Sequence, residues 1–136
     1  MRRFLCLACL MCACVVIGCS DEGPLLTGHF RGVIQDSLAG SGTLNLTITQ
    51  KGETLQGTWS SVFADPANNN EGTLTGTIQN PSDPHPSISM LLQPANATSC
   101  PLQITATLRT PAEMIRTYTS VNCGHAVNGT LDVTRL

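Results

Sequence analysis

The chain has 136 residues, of which 12% are charged and 4% aromatic, and a formal net charge of −2. That length suits one domain, and seven basic residues against nine acidic ones leave no basic face for a nucleic-acid partner. No window holds a helical period, so the pattern points to strands.

Arg2 and Arg3 precede an apolar run from Phe4 to Ile17. The run is shorter than the about 20 residues that span a bilayer. It has the charged start and the small residue before the cut of a signal peptide. It ends in Val16-Ile17-Gly18-Cys19, which resembles the lipobox of bacterial lipoprotein precursors. The resemblance implies cleavage before Cys19 and lipid on Cys19. The chain then divides into a signal peptide (1–18), a lipidated tether (19–25) and a single domain (26–136). A diacylglycerol, often with a third chain, would hold it stably, because two or more acyl chains anchor where one binds marginally. Ser20 after the lipidated cysteine implies the outer membrane of the bacterial envelope, with the domain facing the periplasm. Losing Arg2 and Arg3 takes two of seven basic residues and none of nine acidic ones, a mature charge of about −4. The lipid, rather than a polybasic segment, would therefore be the attachment to the membrane.

Cys6, Cys9, Cys12 and Cys14 fall in the signal, which leaves Cys100 and Cys123 in the domain. An even pair in an exported protein reads as a disulfide, with two free buried thiols as the alternative. No histidine or further cysteine completes a metal ligand set around them.

From Leu26 onward, strand-like runs alternate with Gly, Pro, Asn and Asp clusters. They predict eight strands, at 26–35, 41–50, 53–63, 72–79, 87–93, 100–109, 114–123 and 128–135. Leu44, Leu46 and Ile48 alternate with threonine and asparagine. Leu55, Gly57, Trp59, Ser61 and Phe63 form another such set, as do Ile88, Met90 and Leu92, and Leu102, Ile104, Ala106 and Leu108. One apolar and one threonine-rich face mean an antiparallel sheet with one buried side. Eight short strands predict an all-β, eight-stranded antiparallel up-and-down barrel, which removes exposed edges. The alternative is a two-sheet β-sandwich.

Two turns test the register. A Lys51-Gly52 loop sets Ile48 opposite Leu55 and Leu44 opposite Trp59, all on the inner face. A Pro111-Ala112 loop sets Leu108 opposite Ile115 and Cys100 opposite Cys123, near disulfide reach. This second register turns Ile115, Thr117, Thr119 and Val121 inward and Arg116 and Tyr118 outward. The segments Gly42-Thr43-Leu44, Gly72-Thr73-Leu74 and Gly129-Thr130-Leu131 open a repeated Gly-Thr-Leu-x-x-Thr. Its spacing is irregular, so it reads as a strand-opening device rather than a solenoid.

His29, His85 and His125 are scattered, no acid pair shares a reliable register, and no nucleophile motif occurs. The expectation is a protein that is not an enzyme and has no cofactor and no metal. The interior offers more. Gly28, Gly32, Gly57 and Gly76 point inward, and either permit sharp coiling or leave a cavity. An eight-stranded barrel is just wide enough for its own side chains or one small ligand.

Gly57-Thr58-Trp59-Ser60-Ser61-Val62 resembles the avidin family's Gly-Thr-aromatic-x-Ser segment, and Gly28-His29-Phe30 resembles its opening Gly-x-Trp. The likeness, shared in outline with lipocalin-like small barrels, implies that Trp59 and Ser61 line a pocket mouth. Gly32 stands where that family has a biotin-contacting asparagine, and the chain has a single tryptophan where the family has several. The functional expectation is a binding module for a small apolar or amphipathic ligand, held by Trp59, Ser61, Phe63 and Phe30. The alternative is a protein-binding or inhibitory module of the cell envelope that acts through loops 64–71, 80–86 and 94–99.

Overall fold

The computed structural model describes residues 26–136 except Pro111, Asn122 and His125. The expected signal peptide, the expected lipid site Cys19 and the expected tether lie outside these residues, as does His125. Eight strands follow in order: β1 (Gly28–Asp36), β2 (Gly40–Lys51), β3 (Thr54–Phe63), β4 (Asn70–Gln79), β5 (Ser87–Pro94), β6 (Leu102–Thr107), β7 (Glu113–Ser120) and β8 (Asn128–Arg135). Each pairs antiparallel with the next, and β8 closes on β1 through Phe30↔Arg135 to Asp36↔Gly129. The result is a closed up-and-down barrel, compatible in outline with avidin- and lipocalin-like barrels.

The alternating apolar residues fill the middle of the barrel. Phe30, Leu44, Leu46, Ile48, Leu74, Ile78, Met90, Ile104, Leu131 and Val133 join one continuous buried cluster. The inward glycines belong to this packing. A Cβ on Gly57 would run into the Thr47 carbonyl, and one on Gly32 into that of Asp132. Absent side chains let neighbouring strands coil tightly here, and they leave no void.

The even-numbered strands all start at one end of the barrel. Three of them, β2, β4 and β8, carry the Gly-Thr-Leu motif near that start, and the structure explains it. Each motif glycine faces an aromatic side chain across the ladder: Gly42↔Phe63, Gly72↔Trp59 and Gly129↔Tyr118. A Cβ on Gly42 would lie 2.6 Å from Phe63 Cδ1, and one on Gly129 2.5 Å from the Tyr118 hydroxyl. At Gly42 and Gly129 the glycine thus makes room for an aromatic ring and at Gly72 for the Gln93 and Pro94 backbone, and the leucine two residues on enters the core. In β6 the corresponding segment is Cys100-Pro101-Leu102. There a disulfide from Cys100 to Cys123, with Cα atoms 5.6 Å apart, replaces the glycine–aromatic pair.

Two registers differ from those expected. The β2–β3 ladder pairs Lys51↔Thr54, Ile48↔Gly57, Leu46↔Trp59 and Leu44↔Ser61. The turn residues are therefore Gly52 and Glu53. Gly52 has φ +59° and takes the first central position, where a type II′ turn needs a positive φ. The slip is two residues, so every side chain keeps its face.

In β7 the slip is one residue, and the faces exchange. Met114 and Tyr118 are buried, whereas Ile115 is 51% exposed. Thr110 and Glu113 do bridge across the expected turn. Farther along, however, Ile104 pairs with Tyr118 and Leu102 with Ser120. One extra residue in the 105–109 stretch makes a bulge, which uncouples the turn from the ladder. Burying Met114 and Tyr118 removes more apolar surface than burying Ile115 and two threonines, and this selects the face. Cys100 and Cys123 lie beyond the paired residues, so their bond survives the change of register.

Candidate functional site

Four loops or turns surround the end of the barrel where the even-numbered strands begin: 37–39, 64–69, 95–101 and 121–127. The chain enters β1 and leaves β8 at the opposite end. Between the four loops the barrel is open in a cup of about 270 Å³. Trp59, Ser61 and Ile34 of its lining lie within β3 and β1, Asp36, Phe63 and Leu102 at strand ends, and Asn68, Asn69, Asn96, Thr98 and Val127 in the loops. The cup thus mixes apolar and polar side chains, with asparagines around its mouth.

Several local contacts shape that mouth. Asp65 accepts from Ala67 N at 2.9 Å and caps the short 3₁₀ turn Pro66–Asn68. Asn69 Oδ1 accepts from Phe63 N at 2.7 Å, which ties the loop to the end of β3. Asn96 Oδ1 accepts from Thr98 N at 3.1 Å and so forms the next turn. The disulfide closes the remaining side, and Cys100 itself lines the cup.

Trp59 is 4% exposed. Its indole crosses Gly72 and donates Nε1–H to the Gln93 carbonyl at 3.4 Å, one strand farther on. Ser61 is buried beside it and donates weakly to the Asn70 carbonyl at 3.5 Å. Tyr118 makes the matching crossing on the other side. It passes Gly129 of β8 and donates its hydroxyl to Asp36 Oδ2 at 2.6 Å. Burial, and then the Asp36 carboxylate as hydrogen-bond acceptor and as charge, push the Tyr118 hydroxyl pKa far above its ordinary value.

The structure therefore gathers three of the four residues named from the sequence, Trp59, Ser61 and Phe63, around one cup. Phe30 does not join them. It lies deeper in the barrel on the side of the chain ends, with the Arg135 guanidinium 5.3 Å from its ring centroid. Of the three loops named, 64–71 and 94–99 flank the cup, and 80–86 lies at the opposite end. Sequence reasoning missed Asp36, Ile34 and Val127. The period-two pattern of β1 places Ile34 and Asp36 inward, and that signal was available. Val127 immediately precedes β8 and continues the inward set of Gly129, Leu131 and Val133, so the same signal extends to it.

His29 is exposed and contacts Thr47 Oγ1 at 3.1 Å, while His85 Nδ1 meets the Leu108 carbonyl at 3.3 Å. These two lie on different elements, and no cluster of three potential metal ligands occurs among the described residues. A second depression, of about 400 Å³, lies on the outer face along Asn45, Thr47, Thr58, Ser60 and Glu71. Trp59 also borders it, and it is shallower than the cup, whereas ligand sites are characteristically concave. Comparison with protein-family models, curated proteins and solved structures finds no match for this chain.

Proposed function

We propose that this chain is a non-enzymatic binding module that takes the apolar part of a small amphipathic ligand into the cup. The observation that carries the reading is that the apolar side chains of Trp59, Phe63, Ile34 and Leu102 share one cup with a mouth of asparagines. At about 270 Å³ the cup falls just under the about 300–1,000 Å³ of drug-sized sites, so the ligand is small. Trp59 is the only tryptophan of the chain and borders both the cup and the outer depression, so its fluorescence reports on binding at either. Short-chain alcohols, amines and fatty acids should shift its emission in a saturable way. An emission that stays unchanged at millimolar ligand, in a protein that still melts cooperatively, rules the reading out.

The same proposal includes lipid attachment at Cys19 and residence at the bacterial outer membrane, facing the periplasm. The position of Gly28 supports an orientation. It lies at the end opposite the cup, so a short N-terminal tether would hold the cup away from the membrane. Radiolabelled fatty acid should appear in the native chain and be absent from C19A. Equal labelling, or none in either, removes the anchor from the proposal.

A second reading is recognition of an envelope protein by the cup rim. It is favoured by the meeting of loops 64–69 and 95–101 around one opening. Cross-linking from Asn68→Cys and Asn96→Cys in envelope extracts would test it. A partner captured from both positions, and not from loop 80–86, is the supporting result.

A further inference from the structure

The basic residues of the barrel stand away from the cup, whereas acidic residues stand at both ends. Lys51, Arg109 and Arg135 lie at the end of the chain termini with Glu53, Asp83 and Glu113, and Arg31 and Arg116 lie within β1 and β7. The cup side has Asp36, Asp65 and Glu71, and no lysine, arginine or histidine lines the cup among the described residues. Asp36 is the only charged residue in the lining, and it stands on the inward set of β1. Its Oδ1 accepts from Leu38 N at 2.8 Å and Ala39 N at 2.9 Å, and its Oδ2 accepts from Tyr118 at 2.6 Å. A carboxylate offers about four lone-pair sites, so one on Oδ2 remains open. The three donors also fix the group in place, so it is positioned before any ligand arrives.

The rings of Trp59 and Phe63 line the same cup as this carboxylate. Aromatic faces attract a cation through their quadrupole, and the attraction strengthens where water is excluded. The asparagines of the mouth offer carbonyl oxygens in addition. We infer that the cup selects a small organic cation, an alkylammonium whose charged head meets Asp36 and whose tail rests on the aromatic rings. The inference rests on the proposed binding function and names the class of ligand within it.

The test uses three probes with the same tail: hexyltrimethylammonium, hexanol and hexanoate. Each is titrated against Trp59 fluorescence at pH 8, where an ordinary histidine is neutral. The ammonium should bind tighter than the alcohol by about five- to tenfold, and hexanoate should bind weakest. In D36N the advantage of the ammonium should vanish while hexanol binding persists. Because Asp36 also holds a turn, the native protein provides an independent reading. Ammonium affinity should fall as salt rises from about 0.01 to about 1 M, which shortens the screening length from about 30 to about 3 Å. Hexanol affinity should not fall with it. Equal binding of all three probes, or tightest binding of hexanoate, overturns the cation inference and leaves the binding function standing. Binding of none overturns both.

Discussion

Tyr118 and Asp36 sit on strands that are not neighbours, yet a 2.6 Å hydrogen bond joins their side chains over the glycine of the strand between. Trp59 and the Gln93 carbonyl repeat the arrangement across Gly72. Each bond spans three strands and fastens the cup end of the barrel where backbone ladders give way to loops. For Tyr118 the acceptor is an ion, and hydrogen bonds to charged partners contribute about 1.5–3 kcal/mol. Y118F keeps the ring and removes only the hydroxyl, so it should lose about that much in equilibrium urea unfolding. A loss under about 0.5 kcal/mol would mean that the bond adds little over water.

The same bond gives the fold an alkaline limit. The folded-state pKa of Tyr118 is raised, first by burial and then by Asp36. A group held protonated in the folded state contributes its stability in full below the unfolded pKa, about 10 for tyrosine. The contribution then declines as pH rises above that value. Tyr118 is the only tyrosine of the chain, so tyrosinate absorbance reads this group alone. Its titration should coincide with alkaline unfolding, and Y118F should unfold at higher pH relative to its own stability at pH 7. Tyrosinate that forms near pH 10 in a still-folded barrel contradicts the assignment.

The glycine side of these crossings is equally testable. G129A would place a methyl group against the Tyr118 ring and the Gln35 carbonyl. Overpacking of this kind costs about 1–3 kcal/mol. Gly124 supplies the control, since a Cβ there meets nothing within 4 Å. Thermal melts should show G129A well below the native protein, and G124A within about 0.5 kcal/mol of it. Equal melting of the two variants would show that both Tyr118 and the Gln35 carbonyl can move aside.

What the sequence disclosed follows from how local each feature is. Strand positions were legible because alternation in β2, β3 and β5 is carried within each strand by apolar residues against threonine, serine, asparagine or glutamine. The Gly-Thr-Leu motifs were visible, but the reason for their glycines was not, since the group that needs the space is on another strand. The face of β7 was misread for a related reason. Its register was carried from the turn through continuous pairing, and the bulge in residues 105–109 breaks that continuity. Trp59 and Ser61 were named through the resemblance to the avidin segment, and Phe63 lies on the same alternating set. The cup itself depends on four connections meeting, and no single one of them declares it.

The Cys100–Cys123 bond takes the place that glycine–aromatic pairs occupy on the other even-numbered strands. It closes a sequence separation of 23 residues, worth about 3 kcal/mol in the chain-entropy model. Reduction should therefore lower the melting temperature without abolishing the fold, since core and ladders are independent of it. Because Cys100 lines the cup, the loss should be local as well. Hydrogen exchange should accelerate first in 95–101 and 121–127 and leave β2 and β3 protected. Uniform acceleration across all eight strands would assign the bond a global role.

Arg116 marks the weakest seam. The β6–β7 ladder joins only Leu102, Gln103 and Ile104 to Ser120, Thr119 and Tyr118. Beyond it Arg116, on the inward set of β7, borders a gap lined by Thr105, Ala106 and Thr107. Its Nε is buried and has no hydrogen-bond partner among the described residues. An unsatisfied buried donor costs about 1–3 kcal/mol, a penalty that disappears when an apolar group of similar shape replaces it. Methionine keeps most of the length and adapts to irregular gaps. R116M should accordingly melt at or above the native temperature and slow hydrogen exchange along 105–107 and 115–117. R116A should melt below R116M, because it leaves the gap unfilled. A methionine variant that melts below the native protein would show that the guanidinium holds the seam through its other nitrogens.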